Sequence, residues 1–143
     1  MRVRAGAILI QNDKILLAEH HKKNDSYFVL PGGTVDPRET IEETLIREIK
    51  EEAGLSVTVK KLVLVHQFVD KKSRQDVQFI FTVQLTGGNL RTEINHVTDP
   101  ALKSLQWINL KDFEKTKFKP AIQKEILNVI EHPGNGLKYL GNF

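Results

Sequence analysis

Three glutamates, Glu48, Glu51 and Glu52, stand at i, i+3 and i+4 in a stretch whose apolar residues recur every four positions, and that spacing puts all three carboxylates on one flank of a helix. Like charges on neighbouring turns repel, so something cationic is needed there. Hard oxygen donors on a fixed scaffold suit magnesium or manganese, which keep part of their water shell and bind phosphate oxygens as well. A solvated acidic helix face would account for the charges. It would not require an arginine, Arg47, among the acids, nor the Pro31-Gly32-Gly33 turn just upstream.

The elements that must position these groups are legible around them. Thr40 can cap the helix, with Glu43 reaching back three residues later in a capping box, and Gly54 supplies the stop signal, so the helix is predicted over Ile41 to Ala53. Ile41, Leu45, Ile49 and Ala53, with Ile46 beside them, form an apolar stripe that must lie on a core. Upstream, Val3 to Ile10 and Ile15 to His20 read as a hairpin, His20 to Ser26 as a polar loop, and Tyr27 to Leu30 as a short extended stretch. Downstream, Ser56 to Val69 is rich in β-branched residues and reads as one long or two short strands, followed by a charged loop to Gln75. From Asp76 to Leu85, Val77, Phe79, Phe81, Val83 and Leu85 share one face, leaving a largely polar one that could border a cleft. Leu105 to Ile108 reads as a strand, Leu110 to Lys115 as a short helix and Pro120 to Glu131 as a longer amphipathic helix, with a Gly- and Asn-containing tail to Phe143.

Gly33, Glu39, Arg47-Glu48-Ile49, Glu51-Glu52, Gly54 and Leu55 together fill every position of the pattern G-x5-E-x7-R-E-U-x-E-E-x-G-U, with U aliphatic. On those 23 residues the sequence resembles the Nudix hydrolases. The resemblance implies an α/β fold, a Nudix-type α/β/α sandwich with a mixed β-sheet, which agrees with strands on both sides of a central helix. It implies water attack on phosphorus in a nucleoside diphosphate linked to another moiety. It further implies Mg2+ or Mn2+ held by Glu48, Glu51, Glu52 and the Gly32 carbonyl, with Glu48 or Glu51 as the base and Arg47 and Glu39 forming a bridge that positions the loop. Read from the residues alone, Arg47 has a local alternative partner in Glu43, at i, i+4. Many relatives have Gly where Arg38 stands, in the turn Asp36-Pro37-Arg38-Glu39. A further acidic ligand outside the box would come from Asp76, Glu93 or Asp99.

Composition bounds the rest. The 143 residues are read as one domain, residues 1–143, with 40% hydrophobic and 27% charged residues and no cysteine, which excludes disulfides, thiolate catalysis and Cys-based zinc. The N-terminal apolar run is too short for a signal-peptide core or a membrane span, and a cytoplasmic protein is expected. Net charge is +3, yet residues 33–55 carry −4, leaving +7 elsewhere, a distribution that fits a small anionic substrate carried in with its cation. The basic residues occur as loop pairs rather than an aromatic-interleaved stripe, so no dedicated nucleic-acid surface is expected. The expected partner is a small nucleotide, and a homodimer is compatible with the resemblance. His20, His21, His66, His96 and His132 lack metal-ligand spacing and read as surface or capping residues, and Tyr27, Phe28 and Phe68 read as core before they read as base-stacking groups. The downstream signals of the ADP-ribose and dinucleoside polyphosphate subfamilies are absent at Asp70 to Ser73. Two rivals share the box: hydrolysis of RNA 5′ ends, and a non-catalytic nucleotide-binding regulatory module, which would usually have lost box glutamates.

Overall fold

A computed structural model describes residues 1–72, 74–91 and 100–143. Strands β1 (Arg2–Gln11) and β2 (Lys14–Lys22) form a hairpin, and β2 continues into β3 (Asp25–Val29). Both connections are two-residue turns with positive φ at each position, Asn12 and Asp13 at 52° and 60°, Lys23 and Asn24 at 52° and 62°. That is the geometry whose twist matches a right-handed strand pair, and Asn and Asp tolerate it best. The expected polar loop from His20 to Ser26 is therefore a second hairpin, because Lys23-Asn24 is a turn signal two residues long rather than seven.

Three-residue β4 (Gly32–Thr34) pairs with β1 and leads to helix α1 (Ile41–Ala53). The helix has the predicted bounds and caps. Thr40 Oγ1 accepts from Glu43 N at 3.1 Å while Thr40 N donates to Glu43 Oε1 at 3.1 Å, and Gly54, at φ 73°, donates to Lys50 O. Leu45, Ile49 and Ala53 are fully buried, whereas Ile46 is 45% exposed, one position off the buried stripe.

Beyond the helix, β5 (Leu55–Asp70) is one long strand rather than two short ones, its register slipping around Lys60, and it pairs antiparallel with β6 (Arg74–Gly88). Next come β7 (Leu102–Asn109), which pairs with β2, then α2 (Leu110–Phe113) and α3 (Gln123–Glu131). The expected tail is instead β8 (Lys138–Asn142), laid parallel on β5. Its five residues, which include Gly141 and Asn142 and follow Asn135-Gly136, have too little alternation to announce a strand. Along the main path the strands run β3-β2-β1-β6-β5-β8, with the β1–β6 and β5–β8 pairs parallel, so the sheet is mixed as expected. Among the described residues no helix is long and apolar enough to cross a membrane.

Alternation along β1 divides the molecule. Ala5, Ala7 and Leu9 join Leu45, Ile49, Ala53, Phe81 and Val83 in the core beneath α1. Ile8 faces the other way and packs with Ile80, Leu64, Phe113, Ile122 and Ile126 under α2 and α3. Helices therefore cover both faces, the sandwich inferred from element order.

Arg38 holds φ at 77° in the turn closed by Glu39 N to Asp36 O at 3.1 Å. A side chain in the left-handed region costs about 1–2 kcal/mol, which glycine avoids. Arg38→Gly is expected to raise unfolding stability by about 1 kcal/mol after the larger entropy of the unfolded glycine chain is allowed for. Urea titration checks this, and a loss of stability would contradict it.

Candidate functional site

The loop between β4 and α1 is held to the helix by one arginine. Arg47 Nε donates to Glu39 Oε2 at 2.7 Å and Nη2 to Glu39 Oε1 at 2.9 Å, the paired geometry in which a planar guanidinium meets a carboxylate best. Arg47 thus takes Glu39 and not Glu43, whose carboxylate is engaged in the capping box. Thr44, fully buried, adds Oγ1 to Glu39 Oε1 at 2.8 Å, a partner that the sequence reading had not singled out. Its signal was available: a threonine one turn before Arg47, on the side of the helix that faces the loop.

The remaining donors of Arg47 reach the expected ligands. Nη1 lies 3.1 Å from Glu48 Oε1 and 3.4 Å from Glu51 Oε2, and Nη2 lies 3.2 Å from Asp36 Oδ2. Glu48 packs its carboxyl against β4 at Gly33, where a Cβ would come within 2.6 Å of Glu48 Cδ. A side chain at Gly33 would therefore push the Glu48 carboxyl out of this position. Gly32 is constrained on its other side, since a Cβ there would sit 1.9 Å from Ala5 O. Exposure falls across the three glutamates: the Glu51 side chain is half exposed, Glu48 is 19% exposed, and Glu52 is buried. Among the described residues no three His, Asp or Glu side chains converge as a finished cation cage, because Glu48 and Glu51 lean onto Arg47. The donor set suits a hard divalent cation: carboxylate oxygens on one flank, Glu48 seated on a glycine, and one fixed positive charge against five neighbouring acids.

Of the acids proposed outside the box, Glu93 and Asp99 lie outside the described residues. Asp76 does not join the glutamates. It shares a sheet face with Ile80, opposite α1, where Arg2 grips it through Nε and Nη2 at 2.9 Å each and Arg74 Nε lies at 3.3 Å. Hydrogen bonding from Arg2 holds its carboxyl below the usual carboxylate range despite burial.

Asp76 lines a cavity of about 1040 Å³ on that face, and Gln78 joins it, so the polar side of β6 does border the cleft. Tyr27 and Phe68 also line it, whereas Phe28 packs into the core beside α3. The cavity adjoins the box: Val29 and Leu30 line it just before Pro31, and Arg4 on its floor donates to Thr34 Oγ1 at 3.1 Å, next to Gly33. His66, read as a surface or capping residue, is 5% exposed on the cavity floor. Its Nε2 lies 2.6 Å from Gln78 Oε1 and its Nδ1 is buried without a hydrogen-bond partner, an arrangement that costs about 1–3 kcal/mol and calls for a reason.

The Glu39 carboxyl is pulled down to about 2 from an ordinary 4.5, chiefly by its hydrogen bonds from Arg47 and then from Thr44. A carboxylate depressed in the fold adds stability above its ordinary value and loses it as pH falls through the folded one. The difference in unfolding free energy between the wild type and Glu39→Gln should be level above about pH 5, shrink below 4.5, and be gone near 2. Denaturation over that series checks it; a difference that grows towards acid would contradict the clamp.

Comparison with known proteins gives a family model described as the NUDIX domain, matched over residues 1–129. An ADP-ribose pyrophosphatase of Methanocaldococcus jannaschii is 40% identical over 93 residues, covering 62% of this chain and 54% of that protein. An 8-oxo-dGDP phosphatase of Danio rerio is 30% identical over 139 residues, covering 96% of this chain and 38% of that protein. The chain thus spans about half or less of the length of these relatives. In fold, it superposes on the solution structure of the Escherichia coli ORF135 protein with TM-score 0.73 at 24% identity, over 93% of this chain and 91% of that one. The MutT mutator protein of Bacillus halodurans gives TM-score 0.74 at 20% identity, over 100% of this chain and 90% of that one.

Proposed function

The chain belongs to the Nudix hydrolase family, and from that premise we propose that it is a divalent-metal-dependent pyrophosphohydrolase acting on a nucleoside diphosphate linked to a further moiety, with residues 1–143 as one catalytic domain. The observation that carries this reading is the Arg47 clamp, which holds Glu39, Glu48 and Glu51 in one network beside Gly33. Glu48, Glu51 and Glu52, with the Gly32 carbonyl, would hold Mg2+ or Mn2+. Bound there, the ion supplies positive charge against phosphate oxygens and lowers the pKa of water.

The protein's own groups do the rest. Glu48 or Glu51 accepts the proton of the attacking water, and Arg47 keeps both carboxylates in place. Arg47 acts by position, tying the entry loop to the helix so that Gly33 and Glu48 stay in register. The nucleoside end goes to the cavity, which offers the aromatic rings of Tyr27 and Phe68 and apolar surface at Val29, Leu30 and Ile122 among a surplus of basic side chains. The relatives named for ADP-ribose and for 8-oxo-dGDP have in common a nucleoside diphosphate, and that common core is the substrate class we assign. Every box glutamate is present, which favours turnover over nucleotide binding alone.

A phosphate-release screen over nucleoside triphosphates, ADP-ribose, nucleotide sugars and triphosphorylated RNA tests the assignment. Hydrolysis should require added magnesium or manganese, and full activity in EDTA would sink it. Glu48→Gln should lower turnover by at least about 10²-fold, the lower end of a general-base contribution. Glu43→Gln, whose amide oxygen can still accept from Thr40 N in the capping box, should leave both the rate and the stability nearly unchanged. Equal losses of rate at both positions would mean that general helix electrostatics, and not the box, set the activity.

A further inference from the structure

The cavity floor is a row of three side chains set by strand register: Arg4 on β1 lies beside Gln78 on β6, and Gln78 lies beside His66 on β5. All three line the cavity. Gly6, on the same face of β1, leaves the amide its room, since a Cβ there would come within 2.8 Å of Gln78 Nε2.

The buried imidazole decides which way that amide points. His66 Nδ1 is inaccessible and has no hydrogen-bond partner. An orphaned buried N–H is rarer than an under-used acceptor, so in the neutral ring the proton belongs on Nε2 and Nδ1 is left as a bare lone pair. Nε2 must then donate, and the atom 2.6 Å away must be the Gln78 oxygen. Gln78 therefore presents its NH2 group, which makes no hydrogen bond to any described residue, and it does so from a side chain that lines the cavity.

We infer that Gln78 is a specificity-determining residue that donates a hydrogen bond to the carbonyl oxygen at purine C6 or pyrimidine C4 of the substrate base, and that His66 is the positioning residue that fixes its amide. This rests on the nucleotide reading above. A planar heterocycle is the group that suits this place: Tyr27 and Phe68 line the same cavity, and a neutral amide suits a base edge rather than a phosphate. Charged parts of the substrate have counterparts of their own, in the basic side chains that line the cavity, Arg4 beside Thr34 among them, and along the glutamate flank of α1. Hypoxanthine and uracil carry a carbonyl oxygen where adenine and cytosine carry an amino group, so a fixed donor accepts the first kind and opposes the second.

Titration calorimetry with the four nucleoside monophosphates IMP, AMP, UMP and CMP tests this apart from catalysis. Wild-type protein should bind IMP over AMP, or UMP over CMP, by at least about tenfold. Gln78→Glu keeps an oxygen for His66 and replaces the donor by an acceptor, so the preference should vanish or invert; Gln78→Met, with neither group, should abolish it. His66→Phe should erode it several-fold by freeing the amide, and His66→Gln, whose nitrogen can still donate to Gln78, should restore it. Circular dichroism confirms that each variant is folded. Equal affinities within both pairs, no binding of any of the four, or a preference that survives in Gln78→Glu would overturn the inference. A preference of the expected sign without hydrolysis of any nucleotide would overturn the proposed function instead and leave the base contact standing.

Discussion

The paired hydrogen bonds between Arg47 and Glu39 are the constraint on which the site depends. Glu39 stands in the loop just before α1 and Arg47 nearly two turns into the helix, so their union fixes where the chain enters α1 relative to the helix barrel. The consequence reaches β4. Glu48, the next residue after Arg47, fills the space left by Gly33, and Gly32 lies too close to Ala5 for any side chain. Strand, loop and helix are thus braced against one another, rigidly where Gly32 meets the Ala5 backbone and through the Glu48 side chain at Gly33. The same guanidinium reaches Glu48, Glu51 and Asp36, so a single cation both closes the loop and softens the repulsion within the acidic flank. One positive charge cannot neutralise them all, and the remaining negative charge is what would favour the divalent ion of the proposed function.

Sheet alternation turns this brace into a two-sided device. Odd residues of β1 pack beneath α1, while even ones, Arg2 and Arg4, face the cavity. Because β4 sits on β1, Arg4 can reach Thr34 from the cavity side while Gly33 meets Glu48 from the helix side. A ligand spanning the two regions would cross the short β4 edge, where glycines leave the backbone uncovered. The binding region and the acidic flank share one strand, and displacement of either would be felt by the other.

What could be read from the sequence follows from how local the cause is. The bounds of α1 came out correctly because Thr40, Glu43 and Gly54 act within the helix's own turns. The two faces of β6 were likewise legible, from period-two alternation, whereas the partnership of Glu39 with Arg47 came from the family resemblance, the residues alone leaving Glu43 open. What failed depended on distant neighbours. Asp76 looked like a ligand because an acid on a polar strand face gives no sign of an arginine 74 positions earlier. His66 looked like a surface residue because its burial comes from β6 and from the C-terminal strand β8, itself hidden in a stretch read as tail. Ile46 was misjudged for a simpler reason: apolar character alone does not choose between neighbouring positions at the edge of a stripe.

The charges of the cavity complete the picture. Its lining includes Arg2, Arg4, Lys22, Lys23, Arg74 and Lys119 against two acids, Asp25 and Asp76. Each acid is held by two cations, Asp76 by Arg2 and Arg74, Asp25 by Lys117 and Lys119, and hydrogen bonding from these partners keeps both carboxyls below their ordinary range. Paired in this way, the acids orient the basic groups without cancelling them, so the cavity stays positive on balance while the flank of α1 stays negative. Two regions of opposite sign joined across one short strand define a direction. On the proposed reading, a nucleotide carrying its cation would place the metal towards the glutamates and its remaining negative charge towards the basic side chains of the cavity, and the reverse arrangement would set like charge against like at both ends. Electrostatics would then orient such a ligand before any hydrogen bond forms, and the proposed base contact on the cavity floor would be left to short-range groups.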